Sequence, residues 1–227
     1  MSRVKLPPGN DDATSTSDGH VPQSLPVRGY GVVARDEGDG DRQRDRVLAT
    51  DELRRSKPGR ADFAAQARNP ITVVLDGVRR NYNLGAIFRL CDAFLVERLV
   101  ICGAPVMLHK RKLVQAAAGT QRWVPWQEAK DAASVVRAAK TAGRWIAVVE
   151  LTAESVSPAA LQPRFPAVLV LGGESSGVSH DVLACADQAV AIPMLGMANS
   201  LNVATAGAIV LYEMMRRCAQ SRDEPGG

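Results

Sequence analysis

From Asn69 onward, short runs of branched aliphatic residues alternate with stretches of helical periodicity, and this alternation constrains the fold more than any other feature. Ile71-Thr72-Val73-Val74-Leu75-Asp76 is apolar on both faces, the pattern of a strand covered on both sides. Leu84 to Leu95 is predicted helical, Arg98 to Gly103 reads as a second strand, and Val114 to Ala118 as a short helix. Gln127 to Ala142 is expected as a surface helix, with Ala129, Ala132, Ala133, Val136 and Ala139 forming its apolar stripe. Gly143 ends that helix before a strand over Arg144 to Glu150. Ala167 to Leu171 and Ala189 to Ile192 are further strands, and Val203 to Arg217 closes the chain as a helix. Strand–helix alternation predicts an α/β fold: a mostly parallel sheet with helices on both faces.

The preceding segment differs in kind. Residues 1–68 contain Asp11 to Gly19 and Asp36 to Arg46, which are polar, mixed in charge and poor in aromatics. Such segments bury too little apolar surface to offset chain entropy, so a largely disordered N-terminal extension is expected. Leu25 to Val33 is expected as a short ordered patch and Val47 to Arg55 as a helical turn or two. The folded domain is expected over 69–219, with a short disordered tail over 220–227.

Several classes are excluded by composition. No run reaches the ~18 to 20 apolar residues of a membrane span, and Met1 to Asn10 has no apolar signal core. Cys91, Cys102, Cys185 and Cys218 lie far apart without a CxxC pair, which reads as reduced thiols of a cytoplasmic protein. His20, His109 and His180 are too scattered for a metal cluster, so no metal is expected. A net charge of +4 suits a polyanionic partner without demanding one.

Three segments at the C-terminal ends of predicted strands carry the chemistry. The first is Asp76 to Arg89, in which Asn83 stands near a helix start and Arg89 one to two turns further, where a guanidinium can clamp a phosphate. The second is Leu171-Gly172-Gly173-Glu174-Ser175-Ser176-Gly177, whose glycines let backbone approach a ligand closely. The third is Ile192-Pro193-Met194-Leu195-Gly196-Met197-Ala198-Asn199-Ser200-Leu201-Asn202-Val203, a strand end, a small-residue loop and a helix start. Glu174 could alternatively cap a helix starting near Ser176, and Ser200 and Asn202 are good caps themselves. Arg79, Arg80, Lys110, Arg111, Lys112 and Arg122 form a candidate RNA track, although charge runs are often only solvated faces. Trp123 and Trp126 read as packing anchors before base-stacking platforms.

Taken together the three segments resemble the SpoU/TrmH family of RNA methyltransferases within the SPOUT superfamily. Asn83, Gly85, Ala86, Ile87 and Arg89 match the family's first motif; Leu171, Gly172, Glu174 and Gly177 its second; Ile192, Pro193, Met194, Ser200, Leu201, Asn202 and Val203 its third. The resemblance covers roughly Pro70 to Arg217. It implies a sheet whose C-terminal part threads a deep trefoil knot, a feature general topology rules would not supply. It implies an S-adenosyl-L-methionine site in the loops of the second and third motifs, with Leu171, Gly172, Ile192, Met194, Gly196 and Leu201 as pocket residues. It further implies a homodimer in which the partner's first motif completes each site, acting on a ribose 2′-hydroxyl of tRNA or rRNA. Asn83, Arg89, Glu174, Ser200 and Asn202 are then the catalytic set.

A 2′-hydroxyl is a poor nucleophile until its proton is drawn away. Neutralising an arginine of pKa above ~12 near pH 7 costs roughly 7 kcal/mol. Arg89 is therefore read as a cationic clamp on the neighbouring phosphate and the developing alkoxide, not as the base. Two other readings compete: a base-directed methyltransferase on the same scaffold, and a non-catalytic RNA-binding or ribosome-assembly factor. Arg80 and Asn81, Leu90-Cys91, Leu95 and Ser175 depart from the family pattern, which weakens any transfer of substrate identity.

Overall fold

The computed structural model describes residues 57–103 and 105–223, together with residues 49 and 55. The expectations for Leu25 to Val33, for most of Val47 to Arg55 and for residues 224–227 lie outside these. A short helix, α1 (Arg60–Ala65), precedes the sheet. Then follow β1 (Asn69–Asp76), α2 (Asn81–Ala93), β2 (Val96–Cys102), α3 (Arg111–Ala117), β3 (Trp126–Ala129) and α4 (Ala132–Thr141). The second half holds β4 (Trp145–Val149), β5 (Ala167–Gly172), α5 (His180–Leu183), β6 (Gln188–Val190) and α6 (Val203–Asp223). The six strands lie in the order β3-β2-β1-β5-β4-β6, and every pairing is parallel.

Strand alternation divides the core between the two faces. Val73, Leu75, Leu99, Ile101, Leu169 and Leu171 pack with Ile87 and Phe88 of α2, Leu113 of α3 and Met214 of α6. Their neighbours Val74, Val100, Ile146, Val148, Val168 and Val170 turn to the other face and pack with Val136 of α4 and Val182 of α5. The central pair β1 and β5 runs in register from Ile71 opposite Ala167 to Asp76 opposite Gly172. This brings the first and second motifs side by side at the strand ends.

Three expectations are corrected. The surface helix expected from Gln127 begins only at Ala132, because Trp126–Ala129 instead joins the sheet edge beside Leu99–Cys102. Asp131 accepts the Ser134 backbone N–H at 2.7 Å and fixes that later start. The strand expected to reach Ile192 stops at Val190, the last residue paired with β4. The closing helix continues to Asp223, past its expected end at Arg217.

Leu95, between α2 and β2, sits at φ +48°, where glycine is cheaper. Gly85 answers a different demand, since a Cβ there would lie 2.4 Å from the Leu113 carbonyl and 2.8 Å from the Ala116 Cβ. Gly85→Ala is therefore expected to push α2 from α3 at about 3 kcal/mol, a fall in Tm of roughly 6 to 12 °C. A calorimetric scan checks it, and an unchanged Tm would show that the crossing can relax.

Candidate active site

The C-terminal ends of β4, β5 and β6 surround a cleft of about 1060 Å³, in the size range of small-molecule sites. Leu171, Gly172, Ile192, Met194, Gly196 and Leu201 all line it, as do Glu174, Ser200 and Asn202. Asn83 and Arg89 do not line it. Arg80, placed with the RNA track from sequence, does.

The glycine loop packs chiefly on itself. Gly173 and Gly177 exchange backbone hydrogen bonds at 3.0 and 2.9 Å, closing Glu174 to Ser176 into a tight turn. A Cβ on Gly172 would lie 2.2 Å from the Gly177 carbonyl carbon, so the chain's own backbone requires a glycine there.

Glu174 does not cap a helix near Ser176, because the next helix starts at His180 behind Ser179. It reaches instead to the N-terminus of α2. Its Oε2 accepts the Arg79 N–H at 3.2 Å, and its Oε1 accepts the Arg80 N–H at 3.0 Å and the Asn83 Nδ2–H at 2.8 Å. Partial burial opposes its charge, but hydrogen bonds from the backbone, Asn83, Arg80 and Arg79 prevail and hold the carboxyl below the usual range.

A directional relay follows. A carboxylate only accepts, so Asn83 turns its amide nitrogen to Glu174 and its Oδ1 the other way. That Oδ1 accepts from Asn202 Nδ2 at 2.9 Å, and the Asn202 Oδ1 accepts the Ala204 N–H at 2.9 Å, capping α6. Asn83, only 2% exposed, thus ties together all three motifs. Asn202 is both cap and link.

Arg89, six residues past Asn83, is turned about 120° from it around the helix and is exposed. Within one chain it stands away from the cleft wall. Ser200 is exposed at the cleft's edge. Arg79, Arg80, Lys110, Arg111, Lys112 and Arg122 are all exposed. Trp126 packs edge-on against Phe88, as expected of an anchor. Trp123 is 43% exposed and donates its indole N–H to Asp92 at 2.6 Å.

The sequence reading missed Glu150. It lines the cleft at the end of β4, and its carboxylate accepts the Leu151 N–H at 3.0 Å and the Val178 N–H at 2.9 Å. A lone acid closing an apolar strand, at the sheet edge where α/β ligands bind, was the available signal. The Cys102 thiol is a poor nucleophile: burial, with Asp76 and Asp131 nearby, pushes it up to about 12. Among the described residues no cluster of three or more His, Cys, Asp and Glu could hold a metal ion, and no helix is long and apolar enough to cross a membrane.

A parallel sheet with a ligand-sized cleft at its strand ends, beside which Glu174 and Asn202 are joined through Asn83 of α2, is the architecture of a small-molecule-binding α/β protein. The chain belongs to the SpoU rRNA methylase family, whose model matches residues 70–212. It is 32% identical over 158 residues to a tRNA (guanosine(18)-2′-O)-methyltransferase of Escherichia coli (strain K12), covering 69% of this chain and 67% of that one. Its fold matches the crystal structure of an A. aeolicus TrmH/SpoU tRNA modifying enzyme at 32% identity and TM-score 0.64, covering 70% of this chain and 81% of that one. An AdoMet-bound rRNA methyltransferase from Sinorhizobium meliloti matches at 28% identity and TM-score 0.61, over 68% of this chain and 60% of that one.

Proposed function

We propose that the chain is an S-adenosyl-L-methionine-dependent RNA methyltransferase acting on a ribose 2′-hydroxyl of tRNA or rRNA. The observation that carries this reading is the relay Asn202–Asn83–Glu174, which joins the three motifs beside the cleft. The names of the relatives and the AdoMet-bound neighbour support it. The cleft also suits the cofactor chemically. Leu171, Ile192, Met194 and Leu201 offer apolar walls, and Glu150 and Glu174 offer negative charge to a sulfonium.

Bound there, S-adenosyl-L-methionine supplies a methyl group activated by the sulfonium. The chain supplies alignment, which provides much of the acceleration for an in-line transfer. Glu174 holds the α2 N-terminus against the glycine loop, while Asn83 and Asn202 fix the third motif to the first. Ser200 stands at the cleft edge where the ribose enters. Arg89 grips the phosphate beside the target and stabilises negative charge growing on the 2′-oxygen. The exposed Arg79 before α2 and Lys110, Arg111 and Lys112 at the start of α3, with Arg122, carry the RNA backbone.

Because Arg89 lies off its own cleft, a second copy supplies it. Tyr82 on α2 and Ile209 and Tyr212 on α6 are 63%, 39% and 49% exposed, an apolar surface suited to a homodimer. Further parts of the reading are the C-terminal trefoil knot, a cytoplasmic location and an RNA-related role for the N-terminal extension.

Base-directed methylation needs a free acid or base for a ring proton, and both cleft carboxylates are taken by peptide N–H groups. The test is methyl transfer from tritiated S-adenosyl-L-methionine to bulk tRNA and rRNA, followed by alkaline hydrolysis. Ribose methylation removes the hydroxyl that alkaline cleavage uses, so label is expected in alkali-resistant dinucleotides. Label in mononucleotides would assign a base methylase, and no label a binding factor.

A further inference from the structure

We infer that Arg80 is the carboxylate-recognising arm of the cofactor site and not primarily an RNA contact. This rests on the reading of the cleft given above. Three charged residues line the cleft: Arg80, Glu150 and Glu174. Glu150 is held by the Leu151 and Val178 amides, and Glu174 by Asn83 Nδ2 and the Arg79 and Arg80 amides. Both acids are therefore fixed in place in the wall of the cavity.

S-adenosyl-L-methionine carries a sulfonium, an ammonium and a carboxylate. A cleft with two fixed carboxylates suits its two cations, but its single anion would face repulsion without a cation of the protein's own. Among the described residues Arg80 is the one basic side chain in the wall. Its backbone N–H is anchored on Glu174 at 3.0 Å, so the side chain starts from a fixed point beside the acid. Its guanidinium makes no hydrogen bond or ion pair among the described residues and is exposed. A planar guanidinium meets a carboxylate through two parallel hydrogen bonds, the geometry a ligand carboxylate rewards. Arg79, one residue earlier, shares the Glu174 carboxylate through its own amide but does not line the cleft. Adjacent arginines thus divide the work, Arg80 facing the cofactor and Arg79 the RNA.

Calorimetric titration tests this with two ligands: S-adenosylhomocysteine and its decarboxylated analogue, which keeps the amine. Arg80→Gln is expected to weaken S-adenosylhomocysteine roughly 10- to 100-fold. The decarboxylated ligand should bind the variant as well as the wild type or better, since a cation near its ammonium has gone. Arg80→Lys should recover part of the loss, keeping charge without the bidentate fork. An equal effect on both ligands, or none on either while RNA affinity falls, would overturn the assignment. Wild-type protein that bound neither ligand would instead overturn the reading of the cleft itself. Melting curves of the variants, expected to match wild type, separate a lost contact from a lost fold.

Discussion

Arg89→Ala is expected to lower methyl transfer about 10²- to 10³-fold, the loss typical for removing one group that stabilises charge in a transition state. Binding of S-adenosylhomocysteine should not change, because Arg89 is not part of the cleft wall. Stability should move by no more than ~0.5 kcal/mol, since the side chain is exposed and its replacement opens no cavity. Arg89→Lys should recover little, because an ammonium cannot span two phosphate oxygens as a guanidinium does. Near-full activity of the lysine variant would sink the clamp. The arginine variant also reports where Arg89 acts. If it reaches a partner's cleft, mixing Arg89→Ala with a cleft-blocked variant such as Ile192→Arg should restore roughly a quarter of the wild-type sites by random pairing of protomers. Rescue is absent if each chain uses its own Arg89.

The sheet was legible because its central strands are nearly pure branched aliphatics, and only a doubly covered parallel sheet buries such runs. Edges were harder. Trp126–Ala129 carries Gln127 and Glu128, has one neighbour strand, and continues into a real helical stripe, so local pattern favoured helix where sheet pairing prevails. At the site, motif spacing located the residues but not their partners. Glu174 looked like a cap for the helix after it, yet its donors lie 94 and 95 residues earlier in the chain. Only the β1–β5 register, Asp76 beside Gly172, makes that contact visible. Glu150 was missed for the same reason. Its role depends on Val178, which the loop returns to it from 28 residues away.

Asn83→Asp is expected to be the most damaging isosteric change in the domain, and its pH dependence should run opposite to that of the wild type. Asn83 is 2% exposed and donates to Glu174 at 2.8 Å, so aspartate there sets two carboxylates against each other in a buried site. They cannot both ionise cheaply, and the pair should retain a proton to a raised pKa. Stability carried by a raised carboxyl is present at low pH and lost as pH rises through the folded value. At pH 8 the cost should be about 3 to 5 kcal/mol, that of an uncompensated buried charge. At pH 5 it should shrink, as the shared proton restores a hydrogen bond between the two groups. In the wild type Glu174 has a lowered pKa, so its contribution is present above the unfolded carboxylate value and fades only as pH falls through the folded one. Urea melts of both proteins at pH 5 and pH 8 measure the crossover. Asn83→Ala is the control: it removes the donor without adding a charge, so its loss should scarcely vary between the two pH values. A penalty for Asn83→Asp equal at both pH values would mean that Glu174 carries no charge against it, and that the relay is held by shape alone.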